Sequence, residues 1–359
     1  MMAVAFAARA QGETKMSIFG HTADGTAVPI YTLTSGKLEV RVTAYGAHLV
    51  SVKAPDRNGK MADVALGYDS LDTYLVKPNP YIGAIVGRYG NRIAGGKFSL
   101  DGNTYQIPLN DGANALHGGP KGFDQYVWQS KEVAGGVEFT LVSPDGDMGF
   151  PGKLTTTVRY TLKDETLRID YSATTDKATV VNLTNHAYFN LHGDDQGDIL
   201  DHVIEIDADK VTAAGAGLIP TGELAPVAGT PLDFRKPEVI GKRIDADFEQ
   251  LKLAGGYDHN WVLNGKAGQM HLAAILSDPK SGRKLTVETT EPGVQFYSGN
   301  FLDGSFTGRH GVKYTKHAGL CLETQHFPDS PNHASFPSTE LKPGQTLHST
   351  TTFTFSVTK

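Results

Sequence analysis

Hydrophobic and polar residues alternate along much of this chain. In VVNLTNHAYFNLHG, residues 180–193, Val181, Leu183, Ala187, Phe189 and Leu191 fall on one side of an extended backbone, and Asn182, Thr184, His186, Tyr188 and Asn190 on the other. Successive side chains of a strand point to opposite faces, so this period of two predicts one strand with an apolar back. Its front carries neutral hydrogen-bonding groups and one imidazole instead of the charges of an ordinary solvent face. KLEVRVTAYGAHLVSV alternates in the same way, with Leu38, Val40 and Val42 opposite Glu39, Arg41 and Thr43. LTTTVRYTLKDETLRIDYSATT reads as two strands joined at KDET, GKFSLDGNTYQI as a hairpin turning at Asp101–Gly102–Asn103, and HSTTTFTFSVT as a closing strand. Helical signals are few: SLDTYL after Ser70, and part of KPEVIGKRIDADFEQL. The 41 glycines supply many tight turns. The pattern predicts an all-β chain, a large antiparallel β-sandwich with few short helices.

Composition narrows what such a sandwich does. A chain of 359 residues with no linker or internal repeat reads as a single domain over residues 25–359. Residues 1–24 read as an N-terminal tail or the remnant of a signal peptide, because AFAARA before Gln11 has the form of a cleavage site but no basic segment precedes it. The expected location is cytoplasmic as the sequence is written, or exported to the periplasm if that segment is a truncated signal. The net charge is -6 and no Lys/Arg run occurs, which disfavours nucleic acid. No apolar segment approaches the roughly 18 residues of a membrane span. The single cysteine, Cys321, allows no internal disulfide and no thiolate cluster, and in GLCLETQ it reads as a small buried hydrophobe. A G-x-G-x-x-G turn opening a helix, a P-loop, H-E-x-x-H and G-x-S-x-G are all missing, which removes weight from redox cofactors and serine hydrolysis.

Several stretches join the unusual front of 181–191. Asn91 and Arg92 follow a Gly-flanked turn, His117 precedes a Gly pair, Asp258 enters a strand that carries Trp261, and Gln295 lies near Tyr297. Read singly, these are a turn with a surface ion pair, a satisfied histidine and a turn cap. Glu323 is different: in an apolar strand a carboxylate needs a partner or a task, because an unpaired buried charge is costly. Together the amides, imidazoles, carboxylates and one guanidinium offer the donors and acceptors that pyranose hydroxyls require.

The stretches GRYGNRI, NALHGG, TNHAYFNL, GGYDHNW, EPGVQFYSGNFL and ETQHFPDSPN, in this order, resemble the aldose 1-epimerases, or galactose mutarotases, from roughly residue 25 to the C-terminus. The resemblance implies a galactose mutarotase-like sandwich that interconverts the α- and β-anomers of free aldohexoses such as glucose and galactose, with no cofactor and no metal. It assigns His186 as the general acid to the ring oxygen and Glu323 as the general base on the C1 hydroxyl. Asn91, Arg92, His117, Asp258 and Gln295 bind the sugar, with Tyr188 at the wall. A modest stabilisation of the imidazolium is expected to keep His186 protonated near neutrality, and burial to raise Glu323. The expected partner is a small sugar, without nucleic acid or membrane, and the assembly a monomer or weak dimer. Three other readings stay open. A hexose-6-phosphate mutarotase would need more cations than Arg88 and Arg92. A non-catalytic carbohydrate-binding sandwich would not need an acid and base. A metalloenzyme could draw on 13 histidines, though no ligand spacing is persuasive.

Overall fold

The strands Leu154–Lys163 and Thr166–Thr175 show how alternation becomes architecture. Leu154, Thr156, Val158, Tyr160 and Leu162 are buried while Arg159 and Lys163 are exposed, and the hairpin pairs Leu162 with Leu167 around Asp164–Glu165. The computed structural model describes residues 12–358. This hairpin forms the third and fourth strands of a nine-stranded sheet that runs from Gln129–Val133 through the C-terminal Leu347–Val357 to the edge strand Glu238–Val239. A six-stranded sheet takes the order Tyr188–Phe189, Leu320–Gln325, Gly293–Tyr297, Asp258–Leu263, Ala208–Ala214, Pro220–Pro226. A five-stranded sheet covers Glu13–His21 to Met61–Asp63. Every strand ladder is antiparallel.

The core lies against the nine-stranded sheet. Phe189 packs on Phe353 and Phe355 with ring centres 5.3 and 6.3 Å apart, and Thr324 Oγ1 lies 2.6 Å from Thr351 Oγ1. Tyr31 of the five-stranded sheet meets Phe139 edge-on. The six-stranded sheet thus buries one face, including Trp261, Phe296 and Leu322, and keeps the other for polar chemistry. That is the all-β sandwich expected. Among the described residues the α-helices are Leu71–Leu75 and Glu249–Ala254, and no helix is long and apolar enough to cross a membrane.

Two expectations need correction. Residues 180–193 do not form one strand. Thr179–Val180, Thr184–Asn185 and Tyr188–Phe189 pair separately with Glu340–Leu341, Ile85–Val86 and Leu320–Gln325. The asparagines of the polar row break it by serving crossing loops: Asn182 Nδ2 donates to Gly90 O and Asn190 Nδ2 to Ala318 O. The apolar set Val181, Leu183, Ala187, Phe189 and Leu191 is buried as expected. The five-stranded sheet also reaches into the stretch read as a tail, since Glu13–His21 is one of its strands. The cleavage-like AFAARA lies outside the described residues.

Candidate active site

The polar face of the six-stranded sheet holds a cleft with about 590 Å³ of empty space, the open mouth included, lined by Asn91, Arg92, His117, His186, Tyr188, Asp258 and Glu323. Seven of the eight residues singled out in the sequence therefore meet there. Gln295 does not line the cleft; it sits behind Asp258 and donates from Nε2 to Asp258 Oδ1 at 2.7 Å. The strands explain the convergence. Glu323 and Cys321 alternate with Leu320 and Leu322, so the polar pair faces the cleft and the leucines face the core. Asp258 and Tyr297 are cross-strand partners, as are Tyr297 and Cys321, and paired residues share a face.

Loops place the rest. Asn91 and His117 both adopt left-handed backbone, φ 63° and 51°. Asn91 N–H donates to His117 Nδ1 at 3.1 Å, so His117 turns Nε2 to the cleft as a donor. Gly118 allows this turn: a Cβ there would lie 2.3 Å from Gly87 O. Arg92 is anchored by Asp111, Nε to Oδ2 at 2.7 Å. Arg88, the other cation near the motifs, is buried and donates to Pro151 O and Ser143 Oγ, away from the cleft.

His186 and Glu323 stand at the floor with Nε2 and Oε2 3.7 Å apart. Cys321 Sγ lies 3.4 Å from His186 Nδ1, so Nε2 is the nitrogen presented to the cleft. Oε2 of Glu323 has no hydrogen-bond partner among the described residues. Burial pushes the His186 imidazole down to about 4. This corrects the expectation of an imidazolium held near neutrality, since desolvation disfavours the cation and the Glu323 carboxyl 3.7 Å away is itself driven by burial toward its neutral form. Burial, then the Asp258 charge, raises Glu323 well above the usual carboxylate range, as expected. Burial also raises Asp258, against Arg92 and the Gln295 hydrogen bond, and lowers His117. Burial keeps Cys321 a thiol.

The sequence reading missed part of the lining. Tyr81 packs edge-on against His117 at 4.6 Å, and Tyr297 stacks on Phe301, which is 63 % exposed at the mouth. Tyr297 could have been found from its period-two spacing to Gln295. Tyr81 lies in a loop, φ 58°, and carries no pattern. Among the described residues two trios bring metal-capable donor atoms within 4.8 Å, namely His117, His186 and Glu323, and His192, Asp201 and His202. The first includes the imidazole–carboxylate pair at the cleft floor. In the second, His202 Nε2 accepts Leu191 N–H and both His192 nitrogens face carboxylates.

An antiparallel sandwich with an imidazole–carboxylate pair at the floor of a cleft lined by hydrogen-bonding and aromatic side chains fits the scaffold of a carbohydrate-handling isomerase. The model of the aldose 1-epimerase family matches residues 29–354. A galactose mutarotase from Bos taurus is 46 % identical over 342 residues, covering 95 % of this chain and 98 % of that protein, and the aldose 1-epimerase of Escherichia coli K12 is 40 % identical over 337 residues, covering 92 % and 96 %. Solved structures agree. A galactose 1-epimerase from Lactobacillus acidophilus superposes with a TM-score of 0.84 at 30 % identity, covering 97 % of this chain and 99 % of that one. An aldose epimerase homologue from C. elegans gives 0.82 at 32 %, covering 90 % and 96 %. The chain belongs to the aldose 1-epimerase family.

Proposed function

We propose that this protein interconverts the α- and β-anomers of free aldohexoses by acid–base opening and closing of the ring. The observation that carries the reading is the His186 Nε2–Glu323 Oε2 pair, 3.7 Å apart on the cleft floor. The two oxygens that must exchange protons, the C1 hydroxyl and the ring oxygen, are bonded to the same carbon. An acid and a base a few ångströms apart therefore reach both. Glu323 takes the C1 hydroxyl proton as His186 delivers one to the ring oxygen, and the C1–ring oxygen bond breaks to leave an aldehyde. Rotation about C1–C2 and the reverse transfers close the ring on the other face. Each group contributes about 10²–10⁴-fold. Arg92, Asn91, His117 and Asp258 supply donors and acceptors for the remaining hydroxyls, and Gln295 holds Asp258.

The pair carries one proton throughout. Before opening it is on His186, after opening on Glu323. Burial lowers the imidazole and raises the carboxyl, which favours the proton on Glu323 in the resting pair. The pH–rate profile should be a bell whose acid limb belongs to His186 and whose alkaline limb belongs to Glu323, the reverse of what the unperturbed values suggest. Free sugars fit better than 6-phosphates, because Arg92 is the one Lys or Arg that lines the cleft among the described residues and it is already paired with Asp111. NMR saturation transfer on glucose, galactose and their 6-phosphates tests the reading. Exchange well above the spontaneous rate is expected with the free sugars. No acceleration on any aldose would overturn it.

A further inference from the structure

Behind the cleft, the polar face of the six-stranded sheet continues. Register sets Asn260 opposite Gln295 and Gln295 opposite Glu323, one transverse row across three strands. The next row sets Gly293 opposite Gln325. Asn260, Gln295, Glu323 and Gln325 each stand two residues along from a side chain on the cleft side of its strand, so all four project to that side. Gly293 makes the room, because a Cβ there would lie 2.6 Å from Asn260 Oδ1. All four are 3 % exposed or less. Yet both amide atoms of Asn260, both of Gln325, Gln295 Oε1 and Glu323 Oε2 have no hydrogen-bond partner among the described residues. Leaving one buried polar group unpaired costs about 1–3 kcal/mol. Five such amide atoms on one face, beside the unpartnered carboxylate oxygen of Glu323, mark a polar cluster whose hydrogen bonds side-chain packing does not supply.

We propose that Asn260 and Gln325 are positioning residues that, through ordered water, supply hydrogen-bond donors to Glu323 and hold its carboxylate in the charged, proton-accepting form. The inference rests on the reading of Glu323 as the base. The groups facing Glu323 show the need. His186 and Tyr188 face it from the 184–189 segment, Arg92, His117 and Tyr81 from the loops, and Asp258, Tyr297 and Cys321 from the sheet. Arg92 is the one permanent cation and shares its charge with Asp111 and Asp258, while Asp258 opposes a second negative charge. Neutral amide donors stabilise the carboxylate without pairing with it, so it stays free to take a proton.

Gln325→Met and Asn260→Leu remove these donors at nearly constant volume. Weaker stabilisation of the Glu323 charge shrinks the competent tautomer and raises the alkaline limb together. The expected result is a kcat about tenfold lower near neutrality, an alkaline limb about one pH unit higher, and a KM for glucose within about threefold of wild type. Above both limbs the two curves should converge, since Glu323 is then charged in either protein. Gln325→Asn keeps an amide and should lie closer to wild type. If Gln325→Met does not fold, Asn260→Ala, which empties space rather than crowding it, must show the same displaced limb. An unmoved limb, with kcat either unchanged or lowered equally at every pH, overturns the proposal. Glu323→Gln measured alongside separates the two levels. If it is inactive while the limb stays put, only the role of the amide cluster falls; if it is active, the assignment of the base falls too.

Discussion

Among the histidines that meet carboxylates, His192 and His186 are treated by the fold in opposite ways. His192 is clamped: Nδ1 lies 2.7 Å from Asp278 Oδ2 and Nε2 2.6 Å from Asp201 Oδ1. The Asp278 hydrogen bond holds the imidazole above its usual value, and although burial pushes Asp278 up, His192 and the Lys280 and Ser281 amides outweigh it and hold that carboxyl well below its usual range. His186 is left open: Glu323 stays 3.7 Å away, Oε2 is unpartnered, and burial drives both groups toward their neutral forms. A closed pair stabilises the fold and exchanges protons with nothing else. An open pair is poorly solvated until a substrate hydroxyl completes it, which is the condition for general acid–base work.

Breaking the open pair should give the largest effect. Glu323→Gln and His186→Asn should each lower kcat by two orders of magnitude or more, about 3 kcal/mol of barrier or above, with little change in sugar binding. The double variant should be little worse than the poorer single one. Glu323→Gln should also melt higher than wild type at pH 8. A raised carboxyl stabilises the fold below its unfolded value near 4.5 and loses that contribution as pH rises through the folded one, and the amide has no such loss. Calorimetry and saturation transfer on the same samples check both.

Breaking the closed pair should do the converse. His192→Ala strands the fully buried Asp278 carboxylate and should cost about 3 kcal/mol of stability in denaturant titration, while kcat per folded molecule stays near wild type. Arg92→Ala comes next, with KM up about tenfold and a smaller fall in kcat as the sugar loses alignment. Wild-type kinetics in that variant would remove Arg92 from the site. The smallest effect is a pH dependence. A raised histidine contributes stability below its unfolded value near 6.5 and loses it as pH rises through the folded one. Wild type should lose stability across that alkaline window, and His192→Ala should not.

What the sequence discloses follows from what repeats. The 154–175 hairpin was legible because its alternation is local and its turn polar, and the buried back of 181–191 was legible for the same reason. The breaks in that stretch were not, because Asn182 and Asn190 are spent on carbonyls of distant loops that no local pattern reveals. The site residues came from short motifs, but their geometry comes from cross-strand register, which is why Gln295 fell one row deeper than expected and Tyr297 was passed over. The sense of the His186 shift was missed because desolvation depends on how the surrounding rings close over it, Tyr81, His117 and Tyr188 among them.

The cleft draws Asn91, His117, His186, Asp258 and Glu323 from five separated parts of the chain, in a protein with one cysteine and so no internal disulfide. A bound sugar is therefore a reversible cross-link added to the packing and non-covalent hydrogen bonds through which these segments meet. It holds only in the folded chain, so occupancy adds to folding free energy by mass action, about 2.7 kcal/mol at a hundred times the dissociation constant. Sugar concentration sets how long such a chain lasts as well as how fast it turns over, and one starved of its substrate is the more exposed to unfolding and proteolysis.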